Sequence, residues 1–204
     1  LVAELGDRSL AVATDVSDPA SCERLVASAV GHFGSLDVLV NNAGVMLVGP
    51  FVGAPPEEWR RMVEVNLMGV LHCTAAALPH LIAAAAGPRG VADVVNVGSV
   101  AGRKVNPGGT VYSATKFALG ALSDGLRQEL AGAQVRVSLV EPGLTDTELT
   151  THIRPPVLDA MRPALAQMPV IPAAAVADTI AFCVTRPPGV SIGDLIVRPT
   201  RQER

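Results

Sequence analysis

Tyr112 and Lys116 stand four residues apart in the stretch Tyr112-Ser113-Ala114-Thr115-Lys116. On a helix, that spacing stacks the two side chains on one face, one turn apart. A free phenol has a pKa of ~10, and acid–base work on an alcohol or carbonyl is most efficient near neutrality. A shift of ~3 units needs ~4 kcal/mol of preferential stabilisation of the phenolate. A neighbouring ammonium in a partly dry cleft supplies much of that, and a nearby cationic ligand adds to it. The chain holds one Tyr and, of its 16 basic residues, only Lys104 and Lys116 are lysines. Chance would place Lys four after Tyr in roughly 1 case in 100. Ser99 precedes Tyr112 by 13 residues, at the end of the apolar run 91–97. In open α/β sheets the ligand crevice lies beyond the carboxyl ends of the strands, so a hydroxyl there faces the site.

These residues need a scaffold, and the hydrophobic pattern provides one. The apolar, β-prone segments are 9–14, 37–40, 91–97, 135–140 and 194–197. Between them, helices are expected over 19–33 (capped by Ser17 or Asp18), from Pro56 towards Ala86, over 112–131 and over 173–186. Residues 1–6 read as a helix tail closed by Gly6, and 98–109 as a Gly-rich loop. Residues 144–172 contain five prolines and little periodicity, and are read as an irregular substrate lid with short helices. Strands alternate with helices throughout, which predicts a single α/β domain: a three-layer, Rossmann-like, doubly wound parallel sheet.

Composition narrows the function classes. At 204 residues, 49% hydrophobic and 17% charged, the chain buries a sizeable core built from Val, Ala and Leu, since aromatics are only 3%. A net charge of −3 argues against nucleic acid as a partner. No apolar run of about 18–20 residues is free of Pro, Gly or polar interruption, so no membrane span is expected. Cys22, Cys73 and Cys183 form no Cys-x-x-Cys pair and are read as buried thiols of a cytoplasmic protein. No metal site is read.

A strand-end Ser, a Tyr-x-x-x-Lys helix and Asn41-Asn42-Ala43-Gly44 together resemble the short-chain dehydrogenase/reductases, over essentially the whole chain. The resemblance implies reversible hydride transfer between NAD(P)H and a carbonyl, with Tyr112 as acid/base and Ser99 polarising the carbonyl. Lys116 lowers the tyrosine pKa and holds the nicotinamide ribose, and Asn66 holds a water for proton relay. It also implies cofactor contacts at Asp15 and Val16 (adenine), at Asn41, Ala43 and Gly44 (adenosine ribose), and at Pro142, Gly143, Thr145 and Thr147 (carboxamide). Asp15 as a helix cap is the alternative at that position. The tail Leu195–Thr200 resembles that of a subgroup of NADP-dependent alcohol and aldehyde reductases acting on small polar compounds, so NADP(H) is favoured and NAD(H) remains possible. An epimerase or dehydratase of the same superfamily, an enoyl reductase, or a non-catalytic regulatory subunit are the competing readings.

The substrate pocket is expected from residues 45–50, 101–109 and 144–170, with His152 and Met161 lining or covering it. A homodimer or homotetramer is expected through two helices, the first presenting Trp59, Met62, Val63, Val70, Cys73, Ala77 and Leu81. The second presents Ala118, Ala121 and Gly125. The family's first strand, Gly-rich diphosphate loop and second strand have no counterpart before Asp15. The domain is therefore read as incomplete at its N-terminus, with roughly 40–50 further residues expected upstream.

Overall fold

A computed structural model describes residues 2–202. In chain order the elements are α1 (Val2–Leu5), α2 (Pro19–Phe33), β1 (Val38–Asn41), α3 (Pro56–Val63), α4 (Gly69–Ala85) and β2 (Ala92–Val97). Then follow α5 (Thr110–Leu130), β3 (Val135–Pro142), β4 (Thr145–Asp146), α6 (Pro155–Leu165), β5 (Ile171–Pro172), α7 (Ala173–Val184) and β6 (Asp194–Val197). Strands β1-β2-β3-β6 form one parallel sheet in that order, with Val40 beside Val95, Val95 beside Ser138 and Val140 beside Leu195. Strands β4 and β5 make a two-residue parallel pair inside the lid.

Alternation along the strands sets the layers. Ala92 and Val94 of β2 and Val135 and Val137 of β3 pack against Val26 of α2 and Ala77 and Leu81 of α4, and Leu139 meets Leu119 of α5. Val95 and Val140 point the other way, onto Val176, Ile180 and Cys183 of α7. The predicted three-layer α/β architecture is the one observed.

Three expectations change. Residues 9–14 are not a strand: among the described residues β1 hydrogen-bonds to β2 alone, and a segment without a neighbouring strand has no ladder to join. The long helix does run from Pro56 to Ala85, through Pro79, but its middle is a π-helical turn over Glu64–Met68. Its most apolar 18-residue window has a mean hydropathy of 1.6, enough to cross a membrane by length and composition. Here it is a core helix: Met62, Val70, Cys73, Ala77 and Leu81 are buried inside the subunit. Those five side chains therefore cannot form the subunit interface expected of them. The outward apolar residues of this region are Val63, Met68, Leu71 and Ile82, with Phe117 on α5.

All three cysteines are free and buried, and Cys22 and Cys73, 51 residues apart in sequence, place their sulfurs 3.4 Å apart across α2 and α4. Burial and the Cys22 thiol push Cys73 up to about 12.

Candidate active site

Because the four strands are parallel, their carboxyl ends share one edge, and α5 starts at that edge. The sequence after each strand end therefore converges with the first turns of α5. Ser99 follows β2 and caps the 3-10 turn Val100–Gly102, its Oγ accepting from the Ala101 N–H at 3.1 Å. Tyr112 and Lys116, each 7% exposed, sit in the first two turns of α5. Burial raises the Tyr112 pKa, and a hydrogen bond with Ser99 opposes that rise.

Lys116 reaches back to β2 and donates from Nζ to the Val97 carbonyl at 2.8 Å, its ammonium 5.8 Å from the centre of the Tyr112 ring. Desolvation lowers its pKa to about 8. The ammonium is aimed at a strand-end carbonyl, and the hydrogen bond that lowers the tyrosine pKa comes from Ser99.

The turn bearing Ser99 is pressed against the turn bearing Lys116. A Cβ on Gly102 would lie 2.9 Å from the Lys116 carbonyl oxygen, backbone against backbone, so only glycine fits. A charged bracket completes the clamp. Arg103 Nε donates to both oxygens of buried Glu141, at 2.9 and 2.7 Å, while its Nη2 reaches Asp194 at 2.9 Å. Arg127 holds the other oxygen of Asp194 at 3.0 Å. The loop after β2, the end of β3 and the start of β6 are thereby tied together. Sequence reading missed this bracket because its members are scattered from residue 103 to residue 194.

Asn66 lies on the π-helical turn and is 1% exposed. Its Oδ1 accepts from the Val45 N–H at 2.8 Å, and its Nδ2 donates to the Val45 carbonyl at 2.9 Å and to Thr115 Oγ1 at 3.3 Å. Thr115 Oγ1 in turn donates to the Tyr112 carbonyl at 2.7 Å. The side-chain amide of Asn66 is thus occupied by protein, joining the loop after β1 to the turn of α5 that bears Tyr112. π-Turns of this kind recur at functional sites because the extra residue re-aims the backbone.

The residues expected to touch a cofactor are strung along the same edge. Asn41 is buried, its Nδ2 donating to Thr74 Oγ1 at 3.1 Å and Asn96 Oδ1 at 2.9 Å, which makes its amide part of the helix–sheet junction. Ala43 is exposed and Gly44 half-buried just beyond it. Asp15 is exposed and its Oδ1 accepts from the Ser17 N–H and hydroxyl, which lowers its pKa; the helix cap of α2 is Asp18 instead. The Val16 carbonyl faces His72 Nδ1 at 3.1 Å.

Pro142 pairs with Val197, and the Gly143 N–H donates to Val197 at 2.7 Å. The C-terminal tail folds over this point, where Gln202 Oε1 accepts from the Leu144 N–H at 3.2 Å, a contact sequence reading did not anticipate. Thr145 donates to the Gly143 carbonyl, and Thr147 caps the following 3-10 turn. His152 is exposed and Met161 half-buried on the lid.

Lys116 bears three donors, of which the Val97 carbonyl takes one, and its ammonium stands 5.8 Å from the centre of the Tyr112 ring. Such a set fits a neutral polyhydroxyl group, as a nicotinamide ribose is, and fits poorly with a metal ion.

A family model described as short chain dehydrogenase matches residues 1–157. An uncharacterized oxidoreductase of Staphylococcus saprophyticus is 36% identical over 191 residues, covering 93% of this chain and 75% of that protein. Serine dehydrogenase, in its closed form with NADP+, superposes with a TM-score of 0.89 at 33% identity, covering 100% of this chain and 81% of that one. The 3-ketoacyl-(acyl-carrier-protein) reductase of Brucella melitensis, in complex with NADH, gives 0.84 at 30% identity, covering 98% and 81%.

Proposed function

The chain belongs to the short chain dehydrogenase family and is an NAD(P)-dependent oxidoreductase, and on that premise we propose that it interconverts a carbonyl and an alcohol with Tyr112 as acid/base. The observation that carries this reading is the buried corner at the end of β2, where the Ser99 hydroxyl meets the Tyr112 phenol and the Lys116 ammonium stands one turn behind. The bound nicotinamide supplies or accepts the hydride.

In reduction, Tyr112 donates its phenolic proton to the carbonyl oxygen as the C–H bond forms. In oxidation it removes that proton from the alcohol. Burial, which favours the neutral phenol, keeps the donor loaded for reduction. Ser99 donates to the substrate oxygen and holds the phenol in line. Lys116 binds the ribose hydroxyls with its free donors and stabilises the phenolate left after transfer. Asn66 acts as a positioning residue, its amide engaged by Val45 and Thr115 so that it ties the loop after β1 to the turn bearing Tyr112.

Asp15, Val16, Ala43, Gly44, Pro142, Gly143, Thr145 and Thr147 form the cofactor-facing edge in this reading. Asn41 supports it from within. NADP(H) is favoured, with NAD(H) as the alternative, in line with an NADP+ complex and an NADH complex among its structural relatives. A homo-oligomer assembles through the outward faces of the π-turn, α4 and α5, supported by the exposed Met68, Leu71 and Phe117. Three free thiols suit a reducing cytoplasm.

The test is Tyr112→Phe. Turnover is expected to fall by about 10²–10⁴-fold with cofactor affinity nearly unchanged, measured by steady-state kinetics and NADPH fluorescence titration. Retention of more than about a tenth of the wild-type kcat would exclude proton transfer by this phenol.

A further inference from the structure

The substrate's reacting atom must reach Tyr112, and the cleft beside that residue restricts what can accompany it. The cleft is narrow and opens to solvent. Three chain segments meet at its rim. The Gly49 N–H donates to the Gly108 carbonyl at 2.9 Å, joining the loop after β1 to the loop before α5. The lid rests on the same glycine: a Cβ at position 49 would come within 3.2 Å of Val157 and 3.3 Å of the Arg154 guanidinium.

The wall facing Tyr112 is apolar, formed by Leu47, Trp59, Met62 and Val111, and Trp59 stacks on Phe51 with ring centres 4.6 Å apart. Sequence reading placed the first of these in the pocket and missed Trp59 and Met62, which come from α3, and Val111, which comes from α5.

Besides Tyr112, that lining contains a single ionisable side chain among the described residues, Glu58. Its carboxylate is 14% exposed and lies 2.6 Å from Arg154 Nε, at the start of lid helix α6. The buried Nε–H has no aligned hydrogen-bond acceptor, so the attraction is one of charge on charge.

Resting on the Tyr112 reading, we propose that the Glu58–Arg154 pair determines specificity: it closes the lid on the cleft and leaves the wall electrically neutral. The accepted carbonyl compounds then carry an uncharged alkyl or aryl substituent, and free carboxylates are excluded. The physical case has two parts. An entering carboxylate would meet Glu58, whose counter-charge is already committed. It would also lose its hydration against Leu47, Trp59 and Met62 without gaining a partner. An apolar group loses little and gains burial.

The experiment compares matched pairs on the full protein with NADPH and with NADH: ethyl 3-oxobutanoate against 3-oxobutanoate, and ethyl phenylglyoxylate against phenylglyoxylate. The wild type is expected to favour each ester by tenfold or more in kcat/KM. Glu58→Gln frees Arg154 to bind an anion, so the ester-to-acid ratio should fall about tenfold, through a lower KM for the acid rather than a changed kcat. The charge swap E58R/R154E should restore the wild-type ratio, which a purely structural role for either residue would not predict.

A wild type that prefers the acids, a ratio unmoved by Glu58→Gln, or a swap that fails to restore it in a folded protein overturns the proposal. If acids are preferred while Tyr112→Phe is inactive, only the specificity inference falls. If Tyr112→Phe stays active, or the wild type reduces none of the four compounds, the catalytic reading falls and takes this one with it.

Discussion

Arg136 and Lys116 are buried to the same depth, each 7% exposed, at opposite ends of the parallel sheet. At the amino end, Arg136 grips Asp93 with two bonds of 2.7 and 3.0 Å, and its remaining donors reach the carbonyls of Val184, Arg186, Pro187 and Val190. Arg89 approaches the same carboxylate and holds the carbonyls of Asp37 and Val91. At the carboxyl end, Lys116 has one carbonyl and no carboxylate. The first cation is fully engaged by its surroundings, so it staples β2, β3 and the end of α7. The second has spare donors and a pKa lowered to about 8, and can therefore respond to what arrives. Satisfied charge fixes structure, whereas unsatisfied charge is available for chemistry.

The comparison is broken most sharply at the amino end. Asp93→Ala leaves two guanidinium groups without their carboxylate, one of them deeply buried, and is expected to cost roughly 3–5 kcal/mol of stability. Below its lowered melting temperature the variant should keep near wild-type kcat, since the site lies at the other end of the strands. Chemical denaturation alongside kinetics checks both parts, and an intact Tm would refute the structural role given to Asp93.

At the carboxyl end the effect depends on pH. The folded pKa of Lys116 lies below its ordinary value of 10.5, so above about pH 8 the unfolded chain binds more protons than the folded one. Stability of the protein without cofactor should therefore rise between about pH 8 and 10.5, where other groups are held constant by comparison with Lys116→Met. At ~1.36 kcal/mol per unit the rise is at most about 3 kcal/mol. Parallel denaturation curves for the two proteins across that window would show that Lys116 carries no such strain.

A smaller effect is expected where the turn bearing Ser99 touches the turn bearing Lys116. Gly102→Ala forces a methyl against the Lys116 backbone and should cost about 1–3 kcal/mol, the usual price of overpacking. Because the turn bearing Ser99 must move, kcat should drop while cofactor affinity changes little. Equal losses in both would place the strain elsewhere.

How much of this was legible beforehand differs by residue. Tyr112, Lys116 and Ser99 were readable because helix spacing and strand-end position are local properties, and the structure brings the three together. The strand 91–97 and the helix that starts near Tyr112 were readable for the same reason. Residues 9–14 were misread, since β-prone composition cannot report whether a neighbouring strand is present to pair with. Met62, Val70 and Leu81 were misassigned to an interface, because an apolar stripe does not say whether its cover is the same subunit or another.

The sequence by itself determined the α/β alternation, the parallel sheet and the residue types at the site, all of which follow from periodicity and short spacings. Only the tertiary structure decided that Asn66 spends its amide on Val45 and Thr115, and that Lys116 turns to Val97 rather than to the phenol. It also decided that Glu58 meets Arg154 across 96 residues of chain. Each of these is a contact between distant segments, and its partner is chosen by how layers pack around the sheet, a property that no local pattern carries.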